Sequence, residues 1–166
     1  DILRCDENWM PAGRGIGHSE RTPSAWRDTG SPLHGMQTWV ALPQADQEVE
    51  PSFHHHAAAS LPERDHAGAR LRVIAGRAFG MESPVKVFAD TWNVAVDLAA
   101  DAELELAPEV VERALYVLEG DAQLDGTDIP SMHLLVLDRG VRHVLRAKTP
   151  LKAMLLGGEP LDGPRR

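Results

Sequence analysis

The amino-acid sequence predicts an all-β fold of the sandwich or barrel type. From Ala69 onward, short segments alternate between apolar and polar residues, as strands with one buried face do. Turn residues separate these segments at short intervals, and no long stretch has the 3.6-residue periodicity of an amphipathic helix. Hydrophobic residues make up 43% of the 166 residues, which is enough for a packed core and argues against a disordered chain.

The predicted strands follow one another along the second half of the chain. They are residues 70–76, 85–88, 93–98, 103–106, 112–124, 134–137, 141–147 and 151–156. Earlier in the chain, residues 37–42 also alternate and predict a strand that Pro43 ends, with Trp39 in the core. Segments 24–32, 43–51 and 57–68 are expected to lack regular structure, and the second of them is interpreted as an acidic linker between domains.

An internal repeat suggests that the chain contains two related units. Residues 14–18 have the order Arg-Gly-Ile-Gly-His, and residues 139–143 have the order Arg-Gly-Val-Arg-His. Both copies are Arg-Gly-aliphatic-x-His. The repeat is consistent with two barrels in one chain.

Composition and charge argue against several functional classes. The net charge of −8 and the pI of about 5.4 argue against a surface that follows phosphates, and so against direct nucleic-acid binding. No apolar run reaches the length that crosses a membrane. Cys5 is the only cysteine, so no internal disulfide can form, and a reducing, cytoplasmic compartment fits. Cys5 itself is interpreted as a small buried residue, and the Arg-, Ala-, Gly- and Pro-rich composition suggests a bacterial source.

The segment from Trp9 to Glu20 carries the candidate chemistry. Three glycines within residues 13–17 allow sharp backbone bends, and Trp9 is expected to lie in the core. If the tripeptide that ends the segment is extended, His18 and Glu20 point to the same face. An imidazole and a carboxylate on one face are two ligands of a facial metal site. On spacing alone, a solvated pair after a turn is the commoner explanation, because a two-residue motif often arises by chance.

Three stretches of the sequence resemble one known family. NWMPAGRGIGHSERTP at 8–23 is similar to the signature of the pirins. LHGMQTWVALP at 33–43 and LLGGEPL at 155–161 also resemble pirin segments and occur in the same order. The resemblance covers nearly the whole chain. It implies a bicupin, which has two cupin-type double-stranded β-helix barrels in one chain.

The resemblance implies that this bicupin has an incomplete N-terminal barrel. Residues 1–48 would be the last part of an N-terminal, metal-binding cupin domain, and 49–166 a second cupin domain without a metal site. Pirins hold the metal by a His-x-His pair and then by a His-x-Glu pair, which matches His18 and Glu20. The first pair is absent from the sequence, as is the helix-rich tail that pirins carry after Gly-Gly-Glu-Pro-Leu. The chain is therefore interpreted as a pirin shortened at both ends.

An incomplete barrel would leave exposed strand edges, which invite pairing with a second chain. The sequence interpretation therefore predicts one of two arrangements. Either the chain forms a dimer, or N-terminal residues beyond the sequence complete the barrel.

The resemblance also implies a divalent metal, most readily iron, and it leaves two functions open. In the first, the protein is an oxidoreductase of the quercetin 2,3-dioxygenase type that opens a ring of flavonol-like aromatics. Glu20 would then be a metal ligand, a proton acceptor, or both in turn. In the second, the protein is a non-enzymatic metal- or redox-sensing regulator that binds protein partners. The acidic charge fits a protein partner better than DNA.

The His-His-His run is interpreted as having structural or surface roles, and His143 as a satisfied or exposed histidine, rather than as metal ligands. Alternate residues of the His-His-His run at 54–56 share a strand face, but no acid follows at ligand spacing. His143, in the second copy of the repeat, is followed by Val-Leu rather than Ser-Glu, and one ligand does not hold a metal. Upstream of it, Glu119 and Gly126 lie where the first cupin motif has its Glu and Gly. The second barrel is therefore interpreted as structural, or as a place for a partner.

Overall fold

The computed structural model describes residues 6–22, 24–30 and 34–164. Almost all of the regular structure in these residues is β-strand, so the prediction of an all-β fold is confirmed. None of the described helices is long and apolar enough to cross a membrane. Cys5 lies outside the described residues, and its burial stays a prediction.

Thirteen strands and three short helical turns follow one another along the described chain. The strands are β1 (Glu7–Trp9), β2 (His54–His56), β3 (Glu63–His66), β4 (Ala69–Ala78), β5 (Met81–Glu82), β6 (Thr91–Leu98), β7 (Glu103–Leu106), β8 (Glu112–Glu119), β9 (Ala122–Leu124), β10 (Thr127–Ile129), β11 (Leu134–Leu137), β12 (His143–Ala147) and β13 (Leu151–Gly158). The helical turns are α1 (Ser24–Arg27) and two 3-10 helices, Gln44–Asp46 and Ala58–Ser60.

Two antiparallel sheets share one hydrophobic core. The larger sheet has the strand order β11-β8-β13-β6-β4-β3, with β5 paired to β4, and the smaller has the order β10-β9-β12-β7. Buried side chains from both sheets belong to the same core cluster. A separate pair, β1 and β2, joins the start of the chain to the middle. Trp9 on β1 packs against a second, smaller cluster as a half-buried residue, so its predicted place in the core is confirmed in part.

Burial follows the sequence pattern on the strands that were predicted from alternation. Along β12 and along β7, buried and exposed residues alternate strictly, which is why a half-buried strand is the stable form there. The largest buried side chain, Trp92 at the start of β6, stacks on Phe79 with ring centroids 5.8 Å apart. Its indole Nε1 donates to the Arg77 carbonyl at 2.6 Å, so burying this ring leaves no unpaired donor.

The predicted strand at 85–88 does not form. The Ser83 hydroxyl donates to the Ile74 carbonyl at 2.6 Å and accepts the Val85 amide at 3.2 Å. This side chain gives the backbone an alternative to a strand ladder. Val85 is nevertheless buried, in the second apolar cluster. The apolar pattern therefore predicted burial correctly and secondary structure wrongly.

The predicted strand at 37–42 and the predicted burial of Trp39 are also wrong. No strand forms between residues 34 and 43, and Trp39 leaves 92% of its surface exposed. Met36 and Val40 are exposed as well. Alternation predicts which residues share a face, but a strand also needs a neighbouring strand. No strand of the described chain pairs with this segment.

Four elements lie where the sequence predicts irregular structure: the two 3-10 helices, β3 and α1. β3 forms within 57–68 and pairs with β4 at the end of the larger sheet. All four of its residues are exposed, so no apolar alternation marks it. The one-turn helix α1 forms within 24–32, where Arg27 Nη2 donates to the Thr22 carbonyl at 3.1 Å.

The predicted domain boundary at 48/49 falls shortly after the 3-10 helix Gln44–Asp46, inside the segment interpreted as a linker. The Gln44 amide donates to Asp162 Oδ1 at 3.1 Å, and β1 pairs with β2 across the boundary. The two sides of the boundary therefore touch at several points. The division into 1–48 and 49–166 stays a prediction.

Gly76 is a position where β4 tolerates no side chain. Its φ is +81°, and a β-carbon there would lie 1.6 Å from the carbonyl oxygen of Thr91. We expect Gly76→Ala to lower the free energy of unfolding by at least about 2 kcal/mol, because left-handed strain adds to a backbone clash. Urea denaturation followed by circular dichroism measures this change.

Gly126→Ala is the matched control for that experiment. Gly126 has nearly the same φ of +80°, but no atom lies within 4 Å of the position of its missing β-carbon. The substitution should cost about 1 kcal/mol, from backbone strain alone. Equal losses at the two glycines would contradict the importance of the contact with Thr91.

Candidate functional site

The glycine-rich segment is fixed at its base by a contact between residues 11–15 and 49–52, which we call the anchor. Within the anchor, the Ser52 amide donates to the Pro11 carbonyl at 3.1 Å. Pro11 is buried, and the residues after the anchor, from Gly17 onward, are exposed. The anchor therefore holds the start of the segment against the chain that leads into β2.

Gly13 is the residue of the anchor that must be glycine. Its φ is +49°, and a β-carbon there would lie 1.9 Å from the carbonyl oxygen of Val49. The same carbonyl accepts the Arg14 amide at 3.2 Å. The Arg14 side chain forms an ion pair with Glu50, but both side chains are exposed, and such pairs contribute little. The close approach of the two backbones therefore fixes the segment.

His18 and Glu20 lie beyond the anchor, in an exposed stretch without regular secondary structure. Because no strand forms there, strand alternation does not place the two side chains on one face. Their nitrogen and oxygen donors suit a divalent metal. Within residues 6–22, 24–30 and 34–164, however, no three His, Cys, Asp or Glu side chains come together as a metal site. The described residues thus do not fit a complete metal centre, and ligation by His18 and Glu20 stays a prediction.

Two surface cavities lie in other parts of the fold. The larger, of about 540 Å³, is lined by the turn between β3 and β4, the end of β6, the end of β8 and the start of β13. The smaller, of about 390 Å³, lies beside β5. Neither His18 nor Glu20 lines either cavity, so neither cavity is evidence for a substrate pocket at the predicted ligand pair.

The run His54–His56 forms strand β2, and its contacts fit the structural interpretation. His55 Nδ1 lies 2.9 Å from Asn8 Oδ1, and its Nε2 lies 3.5 Å from a buried carboxylate oxygen of Asp6. His54 Nε2 lies 3.2 Å from the hydroxyl of Ser52, a residue of the anchor. These side chains join β2 to β1 and to the base of the glycine-rich segment.

His143 is buried in the core of the second predicted domain, and one of its two ring nitrogens is hydrogen-bonded. Nδ1 lies 2.6 Å from Asp125 Oδ2, while Nε2 is buried with no hydrogen-bond partner among the described residues. The Val144 amide donates to Asp125 Oδ1 at 2.8 Å. The hydrogen bond with His143 lowers the pKa of Asp125 most, and the hydrogen bond from the Val144 amide lowers it further. Of the two alternatives predicted for His143, satisfied or exposed, the exposed one is wrong, and the satisfied one holds for one ring nitrogen only.

Glu119 and Gly126 lie at different places on the surface. Glu119 Oε2 lies 3.0 Å from Lys152 Nζ, and Oε1 lies 3.5 Å from His34 Nε2. The hydrogen bond from Lys152 lowers the pKa of Glu119. Gly126 is in the turn between β9 and β10. Glu119 is therefore paired with the Lys152 ammonium and lies near His34, as an exposed carboxylate is expected to have a polar partner.

Sequence reasoning missed two residues of the second predicted domain. Asp125-Gly126 is a hairpin-turn dipeptide, which could have drawn attention to the Asp125 carboxylate. Arg113 gives no such signal, because a charged residue on a strand predicts an exposed position. It is only 2% exposed. Its guanidinium donates to the carbonyls of Leu106, Ala107, Asp138 and Val141.

Comparison with known families gives two matches along the chain. The family model of pirin matches residues 2–40, and the model of the pirin C-terminal cupin domain matches residues 93–166. The chain is 42% identical over 159 residues to a pirin-like protein of Caulobacter vibrioides, covering 95% of this chain and 54% of that protein. It is 33% identical over 165 residues to a putative quercetin 2,3-dioxygenase of Pseudomonas aeruginosa, covering 96% of this chain and 57% of that protein.

Comparison with solved structures agrees with these matches. A quercetin 2,3-dioxygenase from Acinetobacter baumannii superimposes with a TM-score of 0.86 at 26% sequence identity, covering 98% of this chain and 58% of that one. The cupin-type fold is thereby confirmed. The chain spans a little over half the length of the relatives it matches.

The pKa of Asp125 predicts how the stability of the second predicted domain depends on pH. A carboxyl group with a lowered pKa in the folded state stabilises the fold above its unfolded pKa of about 4, and loses this effect as the pH falls through the folded pKa. Asp125→Asn should therefore reduce the free energy of unfolding near pH 7, by less than about 1 kcal/mol because the carboxylate is half exposed and screened by solvent.

Urea denaturation of both proteins between neutral pH and pH 3 measures this effect. The difference between wild type and Asp125→Asn should shrink as the pH falls below about 4. A difference that stays constant over the whole range would contradict the role assigned to the pair of Asp125 and His143.

Proposed function

The chain belongs to the pirin family, and from this premise we propose that the protein is a metal-dependent oxidoreductase of the quercetin 2,3-dioxygenase type. Its substrates would be flavonol-like aromatics. Relatives named as quercetin 2,3-dioxygenases, one matched by sequence and one by structure, support this activity. The lone cysteine supports a cytoplasmic location.

One observation carries the proposal: His18 and Glu20 are exposed just beyond the anchor, in the segment that the pirin model matches. Their imidazole and carboxylate donors are those of non-heme iron sites. We propose that these two residues are ligands of a divalent metal, with iron preferred, and that the ligands completing the site lie outside the described residues. Glu20 would also be the group placed to accept the proton of a substrate hydroxyl.

Removal of His18 tests the proposed metal site directly. Fe(II), added without oxygen, should bind the wild-type protein in calorimetric titration. His18→Ala should weaken binding at least about tenfold, because an imidazole ligand is lost. His66→Ala is the matched control, since His66 is also an exposed histidine but lies on β3, away from the anchor. Equal effects of the two variants would contradict ligation by His18.

Turnover of quercetin tests the proposed activity. The iron-loaded protein should consume quercetin and oxygen, and Glu20→Gln should lower kcat/KM at least about a hundredfold, through the lost carboxylate. Glu48→Gln is the control, because Glu48 is also exposed and lies outside the matched segment. An iron-loaded wild-type protein without turnover would overturn the oxygenase proposal and leave the metal site standing.

A second candidate function is favoured by the exposed side chain of Trp39. This ring is 92% exposed, and the neighbouring Met36 and Val40 are exposed too. Aromatic and aliphatic side chains grouped on a surface are typical of protein-binding sites. The net charge of −8 would favour a basic protein partner over nucleic acid. In this alternative, the protein is a metal- or redox-sensing regulator and does not consume quercetin.

A further inference from the structure

The larger of the two surface cavities is lined by a row of five charged residues. Strand pairing sets each of them opposite the next, in the order Asp65 on β3, Arg70 on β4, Asp97 on β6, Lys152 on β13 and Glu119 on β8. All five line the cavity of about 540 Å³. Neighbouring strands lie about 4.8 Å apart, so the charge changes sign at each such step across the sheet. The cavity therefore presents alternating negative and positive groups.

The two outer acids of the row already have cationic partners. Arg70 Nε donates to Asp65 Oδ1 at 2.9 Å, and Lys152 Nζ lies 3.0 Å from Glu119 Oε2. The hydrogen bond to Asp65 is the main reason why the pKa of Arg70 is raised, and the hydrogen bond from Lys152 is the main reason why the pKa of Glu119 is lowered. Both cations of the row are therefore paired with an outer acid and not with Asp97.

Asp97, at the centre of the row, has an open carboxylate. It is exposed, and no hydrogen bond or ion pair joins it to another residue of the described chain. Arg70 also has donors to spare. Its contacts with Asp65 and with Glu63, the latter at 3.5 Å, are both made by Nε, and its two Nη atoms make no hydrogen bond to the described residues. An open acceptor and an open pair of donors thus lie on adjacent strands of one cavity.

The remaining lining of the cavity suits a short hydrocarbon chain. Apart from the charged row and His66, the lining residues are apolar, and Ala67, Ala99 and Pro150 are among them. The volume lies within the range of about 300–1,000 Å³ that is typical of small-molecule sites. Neither His18 nor Glu20 lines this cavity, so an inference about it does not rest on the proposed oxygenase activity.

We propose that this cavity binds a small zwitterion, with its ammonium group on Asp97 and its carboxylate on Arg70. The ammonium supplies the donors that the Asp97 carboxylate lacks. The two Nη atoms of Arg70 hold the ligand carboxylate by two parallel hydrogen bonds. A ligand with one charge pairs only one of the two groups and brings its charge close to a like charge of the row. The alternation of charge therefore selects a ligand that carries both signs.

Amide NMR titration with three probes of equal chain length tests this selection. γ-Aminobutyrate carries both charges, butylammonium carries only the positive one, and butyrate only the negative one. γ-Aminobutyrate should bind the wild-type protein at least about tenfold more tightly than either of the others, because it alone pairs both groups. The shifted amides should centre on residues 65–70 and 97–99, which line the cavity.

Two variants test the roles of the open groups. Asp97→Asn should weaken the binding of γ-aminobutyrate at least about tenfold, because the ammonium loses its counter-charge. Arg70→Lys keeps the charge but lacks the planar fork, so it should reduce the preference for γ-aminobutyrate over butylammonium. Asp101→Asn is the matched control and should bind like wild type, since Asp101 is 81% exposed and does not line the cavity. Circular dichroism checks that all three variants are folded.

Several results would overturn the proposal. One is a wild type that shows no saturable binding of γ-aminobutyrate. Another is equal affinity for the three probes, which would mean that the alternating charges select nothing. Tightest binding of butylammonium would show a site for cations, and equal binding by Asp97→Asn and Asp101→Asn would exclude the assigned role of Asp97.

Discussion

The arrangement of the two sheets depends on the buried guanidinium of Arg113. Four backbone carbonyls accept its hydrogen bonds. One belongs to the last residue of β7, one to the residue that follows it, and two to the turn before β12. A buried cation without such partners would cost several kcal/mol. The end of β7 and the turn before β12 are therefore both held where their carbonyls reach Arg113 on β8. Because His143 lies opposite Leu106 in the β7–β12 pair, the same interaction determines where that histidine lies.

Alternation predicted most strands because most strands here have one buried face. β7 and β11 agree with their predicted bounds, and β12 and β13 lie close to theirs. The pattern failed where another interaction determined the outcome. The Ser83 hydroxyl replaced a ladder at 85–88. Trp39 shows the other limit, since a local pattern does not reveal whether a neighbouring strand exists to cover it. β3 shows the converse, because a partner strand made a ladder from a wholly polar sequence.

The functional residues were predictable to a different degree. His18 and Glu20 were found through the resemblance of their segment to the pirin signature, because their spacing alone was too common to identify a site. The role of Gly13 depends on Val49, which is 36 residues away in sequence, and no local pattern encodes that contact. The same holds for Asp125 and His143, which come together only when β9 and β12 pair. Residues that act through long-range contacts therefore became visible only in the folded chain.

The anchor determines how freely the length of this part of the chain can vary in evolution. Because the Arg14 amide bonds to the Val49 carbonyl, the intervening chain is a loop with both ends tied together. The entropy cost of closing a loop grows only logarithmically, by about 0.6 kcal/mol for each doubling of length. Insertions and deletions between the tied ends should therefore leave stability almost unaltered. The loop that carries His18 and Glu20 can therefore differ in length between related proteins, provided that Gly13 keeps its contact with Val49.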